Sequence, residues 1–138
     1  MKSAKIAEMI KPFCGGALDP HYLAYFDYFN RELFYEAHDV LENLWLAQRG
    51  KPDDLYYKGL IQFAGAFVHL QKNRLGPAVA LFNLARGNLN RFPPFHHQLN
   101  LAELLDTAAQ WIEKIEAATG NPLVVFGPPK LRLDTGQP

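Results

Sequence analysis

The sequence predicts an all-α protein, a single-domain bundle of about five helices followed by an extended, Pro-rich C-terminal tail. Three observations carry this expectation. Apolar residues recur at helical spacings of three and four, with no strand-rich region. Gly and Pro break the periodic segments at Gly50-Lys51-Pro52, Gly76-Pro77, Pro93-Pro94 and Gly120. A length of 138 residues with 49% hydrophobic and 20% charged residues fits one folded core.

Residues 1–19 are expected to form a poorly structured N-terminal segment, weakly helical and broken at Cys14-Gly15-Gly16. Asp19 before Pro20 is a helix start, with Asp as cap and Pro in the first turn. Tyr22, Tyr25, Phe26 and Phe29 then form a helical stripe, and Asn30 can cap the next helix. That helix, about 32–48, turns Leu33, Ala37, Val40, Leu41 and Leu44 toward a core. Asp53 and Asp54 open a third helix to about Lys72, striped by Tyr56, Leu60, Phe63, Phe67 and Leu70. A fourth begins at Gly76-Pro77 and stops before Pro93-Pro94; a fifth spans about 101–118. The helical domain is thus expected over 20–120. The tail, 121–138, is expected to pack back through Val124, Phe126 and Leu131.

Fourteen basic residues balance fourteen acidic ones, so no positive field favours nucleic acid or a membrane surface. No stretch has the length of a membrane span or the pattern of a signal peptide. The lone Cys14 cannot form an internal disulfide, which fits a reducing, cytoplasmic compartment.

The second helix holds the chemistry-bearing pattern. Tyr35, His38, Glu42 and Trp45 lie along one face, with His38 and Glu42 one turn apart. That spacing suits an imidazole held by a carboxylate, or two ligands of one divalent metal ion. The short loop at 50–53 makes the second and third helices antiparallel neighbours, so residues whose numbers sum to about 100–102 share a level. His38 then faces Gln62, Glu42 faces Lys58 or Gly59, and His69 falls toward the start of the second helix. Gly59 and Gly65 let a helix or a ligand approach closely. The candidate site is His38, Glu42 and Gln62, with Tyr35, Trp45, Asn30, Lys58 and His69 around it.

The segment YFDYFNRELFYEAHDVLENLW, then YYKGLIQFAGAFVHLQKN and a Gly-Pro-Ala helix, resembles the all-helical family known as domain of unknown function 309. Phe29-Asn30, Glu36-Ala37-His38, Glu42, Trp45 and Gly59-Leu60-Ile61-Gln62 carry the resemblance over roughly 22–92. It implies an all-α fold and a metal-dependent hydrolase activity without an assigned substrate. Where the family often has Gly in the turn after the Asn, this chain has Arg31-Glu32.

Two functions stand side by side. In the first, His38 and Glu42 hold a divalent metal or position a water, and Gln62 orients a small-molecule substrate. In the second, the chain is a non-catalytic binding or scaffold module: the polar cluster fixes helix register, and the aromatic face meets a protein partner or a second copy. Gln62 then serves as an inter-helix contact, Lys58 as a salt-bridging residue and His69 as a helix-end charge. His96-His97 turns the chain, with opportunistic metal binding as its alternative. Cys14 has no activating neighbour in sequence.

Overall fold

The computed structural model describes residues 2–134. It contains seven helices among these residues, where the sequence pattern predicts about five: α1 (Lys2–Ile10), α2 (Pro20–Asn30), α3 (Phe34–Gln48), α4 (Asp54–Gln71), α5 (Leu75–Leu89), α6 (Leu101–Ala117) and α7 (Pro122–Phe126). The two added helices are α1 and α7. A 3-10 turn at Lys11–Phe13 follows α1, and a short antiparallel hairpin of β1 (Phe95–His96) and β2 (Leu99–Asn100) precedes α6.

Local chemistry accounts for most of the boundaries. Asp19 accepts from the His21 backbone N–H at 2.8 Å and starts α2 with Pro20 behind it. Asn100 accepts from the Glu103 N–H at 3.0 Å and starts α6. At the far end of α4, Asn73 takes the left-handed conformation (φ 58°), which closes the last turn with the Arg74 N–H on the His69 carbonyl at 2.9 Å. Asn30 does not cap α3, whose first turn has no side-chain cap. It closes α2 and holds the tail instead.

Helix α4 is the centre of the molecule. Eleven of its eighteen residues are buried, spread around its circumference, as expected of a helix packed on several sides. Helix α3 runs antiparallel beside it. Gln71 donates to the Glu32 carbonyl at 3.2 Å, and the Trp45 indole N–H donates to Asp54 at 2.6 Å. These two contacts bracket the register expected from the short connecting loop. On its other side α4 approaches α5 at Gly59, where a Cβ would stand 2.6 Å from Leu89 Cγ. Only glycine admits that contact.

The aromatic stripe of α2 is core. Tyr22, Tyr25, Phe26 and Phe29 are buried, and Phe29 meets Phe34, Phe63 and Phe67 at ring-centroid distances of 4.8, 5.7 and 5.3 Å. Each such ring contributes about 1.5–3 kcal/mol by leaving water. Tyr25 is fully enclosed and donates its hydroxyl to the Leu60 carbonyl at 2.7 Å. The expectation that this face mediates association is therefore corrected: its rings are spent inside the fold.

Both chain ends differ from the sequence expectation. Residues 2–10 form a helix that buries Ile6 rather than a poorly structured segment. The tail contains α7, and its Val124 and Phe126 point outward, 84% and 59% exposed. Leu131 alone of the three expected anchors is buried. The side-chain amide of Asn30 pairs with both backbone groups of Leu131 at 2.7 Å, and Lys130 Nζ donates to the Asn30 carbonyl.

Candidate functional site

Helices α3, α4 and α5 flank an open cavity of about 170 Å³ lined by Tyr35, His38, Ile61, Gln62, Gly65, Val68, His69 and Leu81. Glycine at 65 makes it possible. A Cβ there would stand 3.2 Å from Leu81 Cδ1 and 3.9 Å from the His38 ring. Ile61, Gln62, Gly65, Val68 and His69 recur at three, four and seven, one face of α4. Apart from His38, Gln62 and His69, the lining is largely apolar, so its few polar groups set what it can recognise.

The polar groups have definite roles. Gln62 Oε1 accepts from the Asn88 amide at 2.8 Å, which leaves the Gln62 amide nitrogen as a donor. His38 and His69 each carry a buried Nδ1 with no hydrogen-bond partner. For His38 the neighbouring Asp39 carboxylate lies 4.0 Å away, beyond hydrogen-bond reach. A buried N–H without a partner is rarer than a bare lone pair, so a neutral ring in this setting keeps its proton on Nε2. Both imidazoles then offer Nε2–H. Burial, helped by the Arg74 and Lys72 charges, holds the His69 pKa below its ordinary 6.5, which keeps that ring neutral at pH 7. The Tyr35 ring lies parallel to His38 with centroids 6.1 Å apart and is 55% exposed, a cover at the cavity's edge.

Four of the residues expected at the site lie elsewhere. Trp45 is tied to Asp54 and flanked by Lys58 and Arg49, whose charges sit 5.5 and 5.7 Å from its ring. Lys58 is thus paired with an indole face, and Asn30 clasps the tail. Glu42 is half-buried on α3 and does not line the cavity. His69, expected around the site, lines the cavity.

The donor set does not suit a catalytic metal at His38 and Glu42. Such a site wants three protein ligands. Among the described residues, the His, Cys, Asp and Glu groups that bring three ligand atoms within 4.8 Å of one another are Asp53, His96 and His97. His38 and Glu42 gather no third. Asn88 is the site residue that sequence reasoning missed; nothing in the α5 pattern distinguishes it from a solvated asparagine.

No helix among the described residues is long and apolar enough to cross a membrane. Residues 22–81 match the family model described as domain of unknown function (DUF309). No curated protein and no solved structure matches the chain.

Proposed function

From the match of residues 22–81 to the DUF309 family model, we propose that the protein binds a small, largely apolar molecule carrying a carbonyl or carboxylate group in the cavity between α3, α4 and α5. One observation carries the reading: two histidines with buried, unpartnered Nδ1 atoms line the same cavity as an amide whose oxygen is already engaged. With the proton of each ring on Nε2, the lining offers two imidazole N–H groups and the Gln62 amide as donors, and an acceptor group on the ligand complements them. The size sets the scale. Cavities near 150 Å³ hold a single benzene-sized ring. Every lining residue falls within the family-matched segment 22–81, which ties the cavity to the family's shared part.

Hydrolysis is the second reading, favoured by the same donors. Hydrogen-bond donors at a bound carbonyl stabilise the negative charge that develops when water attacks. Benzoate and p-nitrophenyl acetate separate the two readings. Benzoate is expected to raise the melting temperature of the wild type and not of Gly65→Leu, whose side chain fills the cavity. Ester turnover lost in His38→Gln would add hydrolysis. No benzoate effect, or an equal effect in Gly65→Leu, contradicts the proposal.

A further inference from the structure

A second cluster lies outside this cavity, where the β1–β2 hairpin meets the start of α4. His96 Nε2 stands 2.9 Å from Asp53 Oδ1, and His97 Nε2 stands 2.7 Å from Asp53 Oδ2. We infer that Asp53, His96 and His97 form a binding site for a divalent transition-metal ion, with zinc as the fitting example.

The backbone is shaped for this convergence. Neighbouring residues of a strand point to opposite faces, so two adjacent histidines in regular β structure would not meet one carboxylate. Here the chain reverses at His97 and Gln98, both left-handed, with φ 46° and 63°. That two-residue turn ordinarily favours Asn-Gly, and a non-glycine residue in it is strained. The turn brings the two imidazole centroids within 4.2 Å of each other.

Buried tyrosines hold the ligand-bearing backbone in place. The Tyr22 hydroxyl lies 3.0 Å from the His97 carbonyl and the Tyr56 hydroxyl 3.2 Å from the His96 carbonyl. The two hydroxyls are 2.6 Å apart, so one donates to the other and the second donates to its histidine carbonyl. Tyr57 lies parallel to the His97 ring, 2° from coplanar. A ligand set supported in this way is preorganised.

The spacing and donor types match the ion. The three ligand atoms lie within 4.8 Å of one another. Tetrahedral zinc, with bonds of about 2.0–2.2 Å, separates its ligands by about 3.3 Å. Each imidazole retreats from the carboxylate by a few tenths of an ångström and the two rings draw together, each holding its proton on Nδ1 so that the Nε2 lone pair faces the ion. Two imidazoles select zinc and its neighbours over magnesium and calcium. Side-chain exposures of 22% for His96, 35% for His97 and 26% for Asp53 leave room for water as a fourth ligand.

The test is calorimetric titration of chelator-stripped protein with zinc chloride. The proposal predicts one saturable equivalent, at least 100-fold weaker in Asp53→Asn and in the double variant His96→Gln, His97→Gln, and unchanged in His38→Gln. A magnesium titration is expected to show nothing. Where a variant does not fold, the wild-type ring signals decide: those of His96 and His97 must shift with zinc before those of His38 and His69. Non-saturable uptake, binding that survives both variants, or ring shifts at His38 and His69 first would overturn the site and leave the two histidines as pins for the hairpin.

Discussion

A Cβ placed on Gly65 would stand 3.9 Å from the His38 ring carbon Cδ2, so the absence of a side chain on α4 is what gives His38 an open neighbour. The same helix uses glycine twice with opposite results. At Gly59 the gap is filled by Leu89; at Gly65 it remains as the cavity.

The two glycines therefore respond differently to alanine. Gly59→Ala drives a methyl into Leu89 Cγ and Cδ2, which lie 2.6 and 2.8 Å from the ideal Cβ position. Overpacking outweighs the gain in helix propensity, for a net loss of about 1–2 kcal/mol in urea unfolding. Gly65→Ala meets only the end of the half-buried Leu81 at 3.2 Å. Its stability is expected within about 1 kcal/mol of wild type, while benzoate affinity falls because the methyl enters the cavity.

Glu32 occupies the left-handed region at φ 63°, in the turn between α2 and α3. A non-glycine residue there carries strain of about 1 kcal/mol or more, and glycine partly offsets that relief through its larger unfolded-state entropy. Glu32→Gly is expected to stabilise by about 0.5 kcal/mol, seen as a higher melting temperature. A lower melting temperature would show that the Glu32 side chain contributes more than its backbone strain removes.

Asn30 anchors the tail at Leu131, beside the Leu99–Leu133 bridge and the Asp134 N–H on the Gln98 carbonyl. Asn30→Ala removes both hydrogen bonds to the Leu131 backbone and leaves that buried segment unpaired. The expected loss is about 1–3 kcal/mol. Amide exchange should quicken at Leu131 while the core of α4 keeps its protection.

Stability should fall on mild acidification, in part through His69. Burial first, then Arg74 and Lys72, depress its pKa in the fold relative to the ordinary 6.5. The unfolded chain therefore takes up this proton first as pH falls. The His69 contribution is whole above about pH 6.5 and declines as pH drops from there through the lower folded value. His69→Gln should make the urea midpoint less sensitive between pH 7 and 5; an unchanged slope would mean that His69 is not held neutral by the fold.

Much of the helical frame was legible because its boundaries are chemical. Asp19-Pro20 and Gly50-Lys51-Pro52 fix where helices begin and end, whatever they pack against. The antiparallel level of His38 and Gln62 followed from loop length, and Gln62 brought His69 with it, two turns along the same face. Glu42 misled because helix periodicity shows which residues share a face but not what fills the space in front of it. The meeting of Asp53 with His96 and His97 lies 43 and 44 residues apart in sequence. A two-residue strand and a left-handed turn have no periodicity from which to read it. Helix α1 was missed for a similar reason, since Ile6 is the one fully buried residue among those whose side chains are described in it.

The central claim, that the cavity of His38, Gln62 and His69 receives a small acceptor-bearing molecule, is tested most directly by following the histidine ring carbons and protons by NMR during a benzoate titration. The account predicts saturable shifts of His38 and His69 together, little change at His21, His96 and His97, and loss of the response in Gly65→Leu. Shifts confined to the other histidines, or none at all, would contradict it.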